Sequence, residues 1–164
     1  MPDVRDFMAW LQASPLGHFM RESGVWTYAL VNLSHILGIA ALFGAIVIVD
    51  LRLLGVWRRL PLAVLAEAAA PVAACGFLLA AASGVGLLAT KATEYTGNPF
   101  LYVKFQAIAL GLLNVLALSL SPAWRDRRTR EPSARETHQL ALMGGTSLAC
   151  WLAAMGAGRL IAYW

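Results

Sequence analysis

The chain has 164 residues, 59% of them hydrophobic and only 13% charged, with a formal charge of +4. A soluble domain of that composition lacks the polar surface to cover itself, so an apolar solvent is implied. The charge comes from arginines between apolar runs, not from a basic stripe interleaved with aromatics, which excludes nucleic acid and makes the lipid bilayer the first partner.

Residues 1–24 carry Phe7, Met8, Trp10, Leu11, Leu16, Phe19 and Met20 among charges. The stretch is too short to span and suits the headgroup boundary, so two short interfacial helices are expected there. Asp3 can cap the first, Ser14 followed by Pro15 starts the second, and Gly24 releases the chain into the next element. Such a segment is either a collar or a lid over an outward-facing cavity. Its acidic start, Met1-Pro2-Asp3, is no cleavable signal, so the first span is expected to direct insertion itself.

Four apolar runs follow at about 25–49, 62–90, 99–121 and 138–163. Each meets the length of about 20 residues needed to cross the hydrocarbon core. The expected fold is therefore all-α: a polytopic membrane protein with a four-transmembrane-helix bundle over residues 25–163. Asn98-Pro99 opens the third helix, and Ser133 with Glu136 forms a capping box for the fourth. Glycines crowd the runs and allow helix backbones to approach closely. Pro71 is expected to bend the second helix.

The basic residues alternate between turns. Arg52, Arg58 and Arg59 follow the first run, and Arg125, Arg127, Arg128, Arg130 and Arg135 precede the fourth, whereas the other side holds Lys91 paired with Glu94 and an acid-balanced amino terminus. Because Lys and Arg near span ends stay in the cytoplasm, turns 50–61 and 122–137 are predicted cytoplasmic and both termini outside. Asp50, Arg52 and Glu67 then lie near that inner face. Glu67 is within reach of Arg52, Arg58 or His138, so an ion pair locking the turn is expected, and Asp50 and Arg52 close the first run as a charged stop.

Polar residues inside the hydrocarbon are where function is best sought, since each needs a partner, water or a ligand. Tyr28, Asn32 and His35 fall at i, i+4 and i+7 on one face of the first run, with His35 roughly 15 Å from the outer boundary. On the third run Lys104 and Asn114 lie on a second polar face. A neutral imidazole at mid-membrane is a natural axial ligand for haem iron, making His35 the candidate metal ligand and haem b the candidate cofactor. His138 is too shallow to share one haem with His35. Met155 comes within a few Å of the depth of His35 by about 1.5 Å per residue, so His35 with Met155, or His35 alone, is the least strained ligation. Cys75 and Cys150 read as small apolar fillers. His35 can equally hydrogen-bond Asn32, Asn114 or a carbonyl across helices.

The segments His35-Ile36-Leu37-Gly38, Asp50-Leu51-Arg52-Leu53-Leu54-Gly55, Glu94-Tyr95 to Asn98-Pro99 with Lys104, and Gly158-Arg159-Leu160-Ile161-Ala162-Tyr163 resemble a family of small uncharacterised bacterial four-helix inner-membrane proteins. The resemblance covers nearly the whole chain and implies a multi-pass protein of the bacterial inner membrane, without implying an activity. Relatives often carry a histidine toward the inner end of the third span, where this chain has Ser119. A looser similarity to cytochrome b561 and copper-resistance membrane domains rests on histidines in a four-helix core.

Soluble catalytic motifs are missing, so the chain is not expected to be an enzyme on its own. Three readings stand: a haem-binding or quinol-side electron-transfer subunit; a noncatalytic anchor or scaffold that docks other membrane subunits or further copies of itself; and a small solute or proton transporter using Asn32, His35, Lys104 and Asn114.

Overall fold

The computed structural model describes residues 3–164, which form helices and turns without a β-strand among them. In chain order these are α1 (Val4–Ala13), α2 (Pro15–Glu22), α3 (Gly24–Leu53), α4 (Leu62–Thr90), a 3-10 turn (Ala92–Tyr95), α5 (Pro99–Leu120), the one-turn α6 (Pro122–Arg125), α7 (Ala134–Leu160) and a last 3-10 turn (Ile161–Tyr163). Four of them, α3, α4, α5 and α7, are long and apolar enough to cross a membrane.

The boundaries follow from local chemistry. Asp3 stands at the N-cap of α1, its N–H donating to Asp6 Oδ2 at 3.2 Å. Ser14 Oγ accepts from the Gly17 N–H at 3.2 Å, with Pro15 in the first helical position, so α2 begins where α1 ends. Gly24 takes φ +80°, a left-handed conformation that breaks α2 from α3. Ser133 and Glu136 exchange the two hydrogen bonds of the expected capping box, at 2.8 and 3.3 Å, and start α7.

Two helix ends lie outside the apolar runs. α3 continues to Leu53, past the end of its run at residue 49, and α7 starts at Ala134, before its run at 138 and where the Ser133 and Glu136 capping box places it. Hydropathy marks where apolar solvent should end, whereas a helix ends where its carbonyls find other donors. For α3 that place is Gly55, at φ +100°: the Val56 N–H donates to Leu51 O at 2.9 Å and the Gly55 N–H to Arg52 O at 3.1 Å, the paired bonds of a Schellman cap. Asp50 and Arg52 are thus inside the helix and do not stop it. α4 is assigned as one helix through Pro71, whose missing N–H leaves the Glu67 carbonyl without its usual helical donor.

The described residues cluster into two compact units, and the division falls within α3 and α4. The first comprises the chain up to Leu42 with Ala74–Asn98. Within it α3 and α4 meet backbone to backbone. A Cβ added to Gly38 would lie 2.6 Å from Ala80 N, and one added to Gly76 would lie 2.5 Å from Leu42 N. Met8, Leu11 and Met20 turn inward from α1 and α2. Gln12 Oε1 accepts from the Thr93 N–H at 2.9 Å and from Thr93 Oγ1 at 2.8 Å, and Arg21 donates to the Gln12 carbonyl at 2.8 Å. The amino-terminal segment is thereby fastened to the 3-10 turn after α4.

The second unit comprises Phe43–Ala73 and Pro99–Trp164. Its α7 buries Leu140, Gly144, Ser147, Trp151, Ala154 and Ala157, a stripe at three- and four-residue spacing. The Trp151 indole lies over Gly111 of α5, where an added Cβ would stand 3.3 Å from Cε2. At the Arg-rich end, Leu53, Leu118, Ala123 and Leu140 form a closed apolar cluster, and Arg127 stacks over Trp124 beside it at 4.6 Å. In both units the leucines pointing away from these contacts are exposed: Leu30 by 63%, Leu78 by 67%, Leu113 by 60% and Leu142 by 60%. One comes from each long helix, so every one of the four presents apolar surface outward.

Candidate functional site

His35 lies eleven residues into α3, so the helix carries it about 16 Å from Gly24. Its partners come from α4. Nδ1 is 2.8 Å from the Ala80 carbonyl oxygen and 3.2 Å from Ser83 Oγ, and Ser83 Oγ in turn donates to Leu79 O at 2.5 Å. A carbonyl can only accept, so the short contact puts the proton on Nδ1 and the lone pair of a neutral ring on Nε2. Of the alternatives the sequence left open, a carbonyl across helices is among the partners of His35.

The ring fits because the neighbouring turn of α4 has no side chain. A Cβ on Gly84 would lie 3.0 Å from His35 Cε1 and 3.4 Å from Nδ1. Gly76, Ala80 and Gly84 recur every four residues on that face. The first and second let α3 approach, and the third seats the imidazole. Tyr28 and Asn32, placed on the His35 face by counting, are both exposed, whereas His35 is half-buried. Tyr28 lies close enough to Tyr95 for its charge to act on that phenol.

The second unit holds the remaining candidates. Asn114 Nδ2 donates to the Met143 carbonyl at 2.9 Å and so ties α5 to α7. Lys104 is half-buried, with its ammonium beside Gly158, where an added Cβ would be 3.5 Å from Nζ. Met155 is half-buried on α7. Among the described residues no group of three or more His, Cys, Asp or Glu is placed to hold a metal ion.

The ion pairs expected at the Arg-rich turns need correction. Glu67 does form one, but with Arg128 (Nε to Oε1, 2.6 Å), not with Arg52, Arg58 or His138. Among the described residues Arg52 binds no carboxylate; it donates to the carbonyls of Leu60 at 2.7 Å and Arg58 at 3.2 Å and so clamps the turn. Asp50 joins no ion pair among the described residues. It is 3% exposed, its carboxyl hydrogen-bonds the Ser147 side chain, and Oδ2 has no hydrogen-bond partner. Reach alone could not separate these outcomes, because arginine side chains satisfy carbonyls as readily as carboxylates when a turn exposes them.

Sequence reasoning missed Ala80, Ser83, Gly84 and Ser147. The four-residue recurrence of small residues after Gly76 was the one signal for Ala80 and Gly84. No curated protein and no solved structure matches this chain. Residues 7–164 match the model of a family of unknown function, DUF6644, and the chain belongs to that family.

Proposed function

We propose that this chain is a multi-pass protein of the bacterial inner membrane and that it serves as a haem-binding, quinol-side electron-transfer subunit, with His35 as axial ligand of a haem b. The observation that carries the reading is the 2.8 Å contact between His35 Nδ1 and the Ala80 carbonyl. Histidines that bind metals through Nε2 commonly have Nδ1–H tied to a backbone carbonyl or a carboxylate, which fixes the tautomer and aims the ring. His35 would be the protein residue that holds the haem. The iron would supply one-electron redox chemistry, while the chain would supply its ligand and an apolar surround.

The test is an absorption spectrum of gently purified protein, oxidised and then reduced with dithionite, beside the His35→Ala variant. A stoichiometric Soret band that shifts on reduction and is lost in the variant is expected. A wild-type protein that stays without the band after haem is supplied overturns the reading.

The noncatalytic anchor keeps one observation of its own. Gly44 and Gly156 are exposed, and nothing among the described residues lies within 4 Å of a Cβ added to either, so neither position needs a glycine for packing among them. Outward-facing glycines in apolar helices offer a close approach to a partner helix. On that reading Gly44→Leu abolishes association with the partner subunit while leaving the isolated chain folded.

A further inference from the structure

The buried carboxyl of Asp50 is unused by any haem chemistry, and its surroundings are unlike those of the chain's arginine- and lysine-paired acids. Glu67, Glu94, Asp126 and Glu136 each have a basic partner within 4 Å, at 2.6, 3.3, 3.2 and 2.7 Å respectively. Asp50 has a hydroxyl, Ser147, on one side and an unpartnered Oδ2 on the other, at 3% exposure. α7 is pressed against it: a Cβ on Gly144 would lie 3.0 Å from the Asp50 carbonyl oxygen and 2.9 Å from Leu53 Cβ.

Among the described residues no charged group of the surrounding elements forms an ion pair with Asp50; Arg58 lays its guanidinium against Gly55, and Arg127 keeps a buried Nε without a hydrogen-bond partner. Arg52, on the same helix, is spent on the Leu60 and Arg58 carbonyls; Glu67 of α4 is held by Arg128; Arg127 stacks on Trp124 and donates to its carbonyl. On α7, His138 and Glu136 lie about 13 Å or more before Ser147 along the axis, and Gly158, where the Lys104 ammonium of α5 sits, is about 16 Å beyond it. The titratable side chain nearest in sequence to Ser147 is the Cys150 thiol. An ionised carboxylate left without a cation in so apolar a place is costly, and the smallest species that relieves the cost is a proton.

We propose that Asp50 is a proton-binding site, with Ser147 as the residue that holds its carboxyl in place. The step is the simplest possible: a carboxylate oxygen takes a proton from water and an O–H bond forms, with no other bond made or broken. Asp50 lies three residues before the end of α3, about 5 Å along the helix axis, and the Leu53, Leu118, Ala123 and Leu140 cluster closes that end. The proton therefore enters and leaves only when this apolar plug parts. Protonation removes the charge that would otherwise force α3 and α7 to open around Gly144. The site owes nothing to His35, so it stands or falls separately from the haem reading.

Infrared difference spectroscopy of the full chain in lipid vesicles tests it, with pH steps from mildly acidic to mildly alkaline. The wild type is expected to show a carboxylic-acid carbonyl band at neutral pH that shifts down in heavy water and is lost in Asp50→Asn. Ser147→Ala keeps Asp50 and should retain the band but move it to higher frequency, as expected for a carboxyl that has lost a hydrogen bond. That variant identifies the band even if Asp50→Asn does not fold. A spectrum without such a band, or a band that neither substitution alters, overturns the proposal, whether the carboxylate is then bare or holds a metal cation.

Discussion

The imidazole of His35 is held from one side by an acceptor and bounded on another by a missing side chain, and the two can be separated by substitution. Ser83→Ala removes the longer, 3.2 Å contact and leaves the Ala80 carbonyl in place, so a loss of about 0.5–1.5 kcal/mol is the ceiling. Gly84→Ala is expected to do more harm. The new methyl would stand 3.0 Å from Cε1 of a ring that cannot retreat without giving up its bond to Ala80, and overpacking of this kind costs about 1–3 kcal/mol. Thermal unfolding in detergent should rank the two variants in that order. If Gly84→Ala melts with the wild type, the ring is not bounded as described.

Tyr95, in the 3-10 turn outside the long helices, offers a titration of the same unit. Burial raises its phenol above the ordinary range; Tyr28 and Glu94 add to the shift and Lys91 opposes it. The sign follows directly. Stability from the neutral phenol is fully present below the unfolded value of about 10 and is lost as pH rises through the higher folded value. In an ultraviolet phenolate titration, Tyr95→Phe should remove a late-titrating component and Glu94→Gln should move it earlier; an unchanged curve in both would refute the assignment. At this scale His35 was legible because a mid-helix histidine is conspicuous, but its partner was not. A carbonyl acceptor has no residue type, and a charge at the end of an apolar run, like Asp50, reads the same whether it faces water or is folded inward.

Helix pairing depends on which glycines meet backbone and which meet nothing. Gly38 and Gly76 oppose main-chain atoms of the partner helix, at 2.6 and 2.5 Å from an added Cβ, and main chain cannot rotate aside as a side chain does. Gly38→Ala and Gly76→Ala should each lower the unfolding midpoint through a loss of about 1–3 kcal/mol. Gly44→Ala and Gly156→Ala have no atom to meet and should be neutral or stabilising by up to about 1 kcal/mol, since they only restrict the unfolded chain. Equal effects at all four positions would mean that backbone entropy, not helix contact, governs these sites. The existence and capping of the elements could be read from the sequence, because caps are local: Ser14, Gly24, Ser133 and Glu136 each act within four residues. The pairing could not, since every glycine looks alike in one dimension and only a neighbouring helix distinguishes Gly38 from Gly44.

The whole molecule has one asymmetry strong enough to orient it, and it is electrostatic. Arg52 in the last turn of α3 is followed by Arg58 and Arg59 before α4, and Arg125, Arg127, Arg128 and Arg130 lie between α5 and α7, with Arg135 in the first turn of α7. The turn between α4 and α5 holds one lysine, and that lysine is neutralised by Glu94 at 3.3 Å. Several of the arginines already serve local roles, Arg52 clamping its turn and Arg128 holding Glu67, but a local bond does not cancel the cost of moving a guanidinium across the bilayer during insertion. The Arg-rich turns should therefore remain cytoplasmic. Single cysteines introduced at Arg59, Thr129 and Gly97, in a chain where Cys75 and Cys150 have been replaced by alanine, test this in intact cells. A membrane-impermeant maleimide should label position 97 from outside and reach positions 59 and 129 only after the membrane is opened. The reverse pattern would invert the topology. It would also decide the compartment that Asp50 serves, because its carboxyl lies within one turn of the Arg-rich end of α3 and its proton must come from the water on that side.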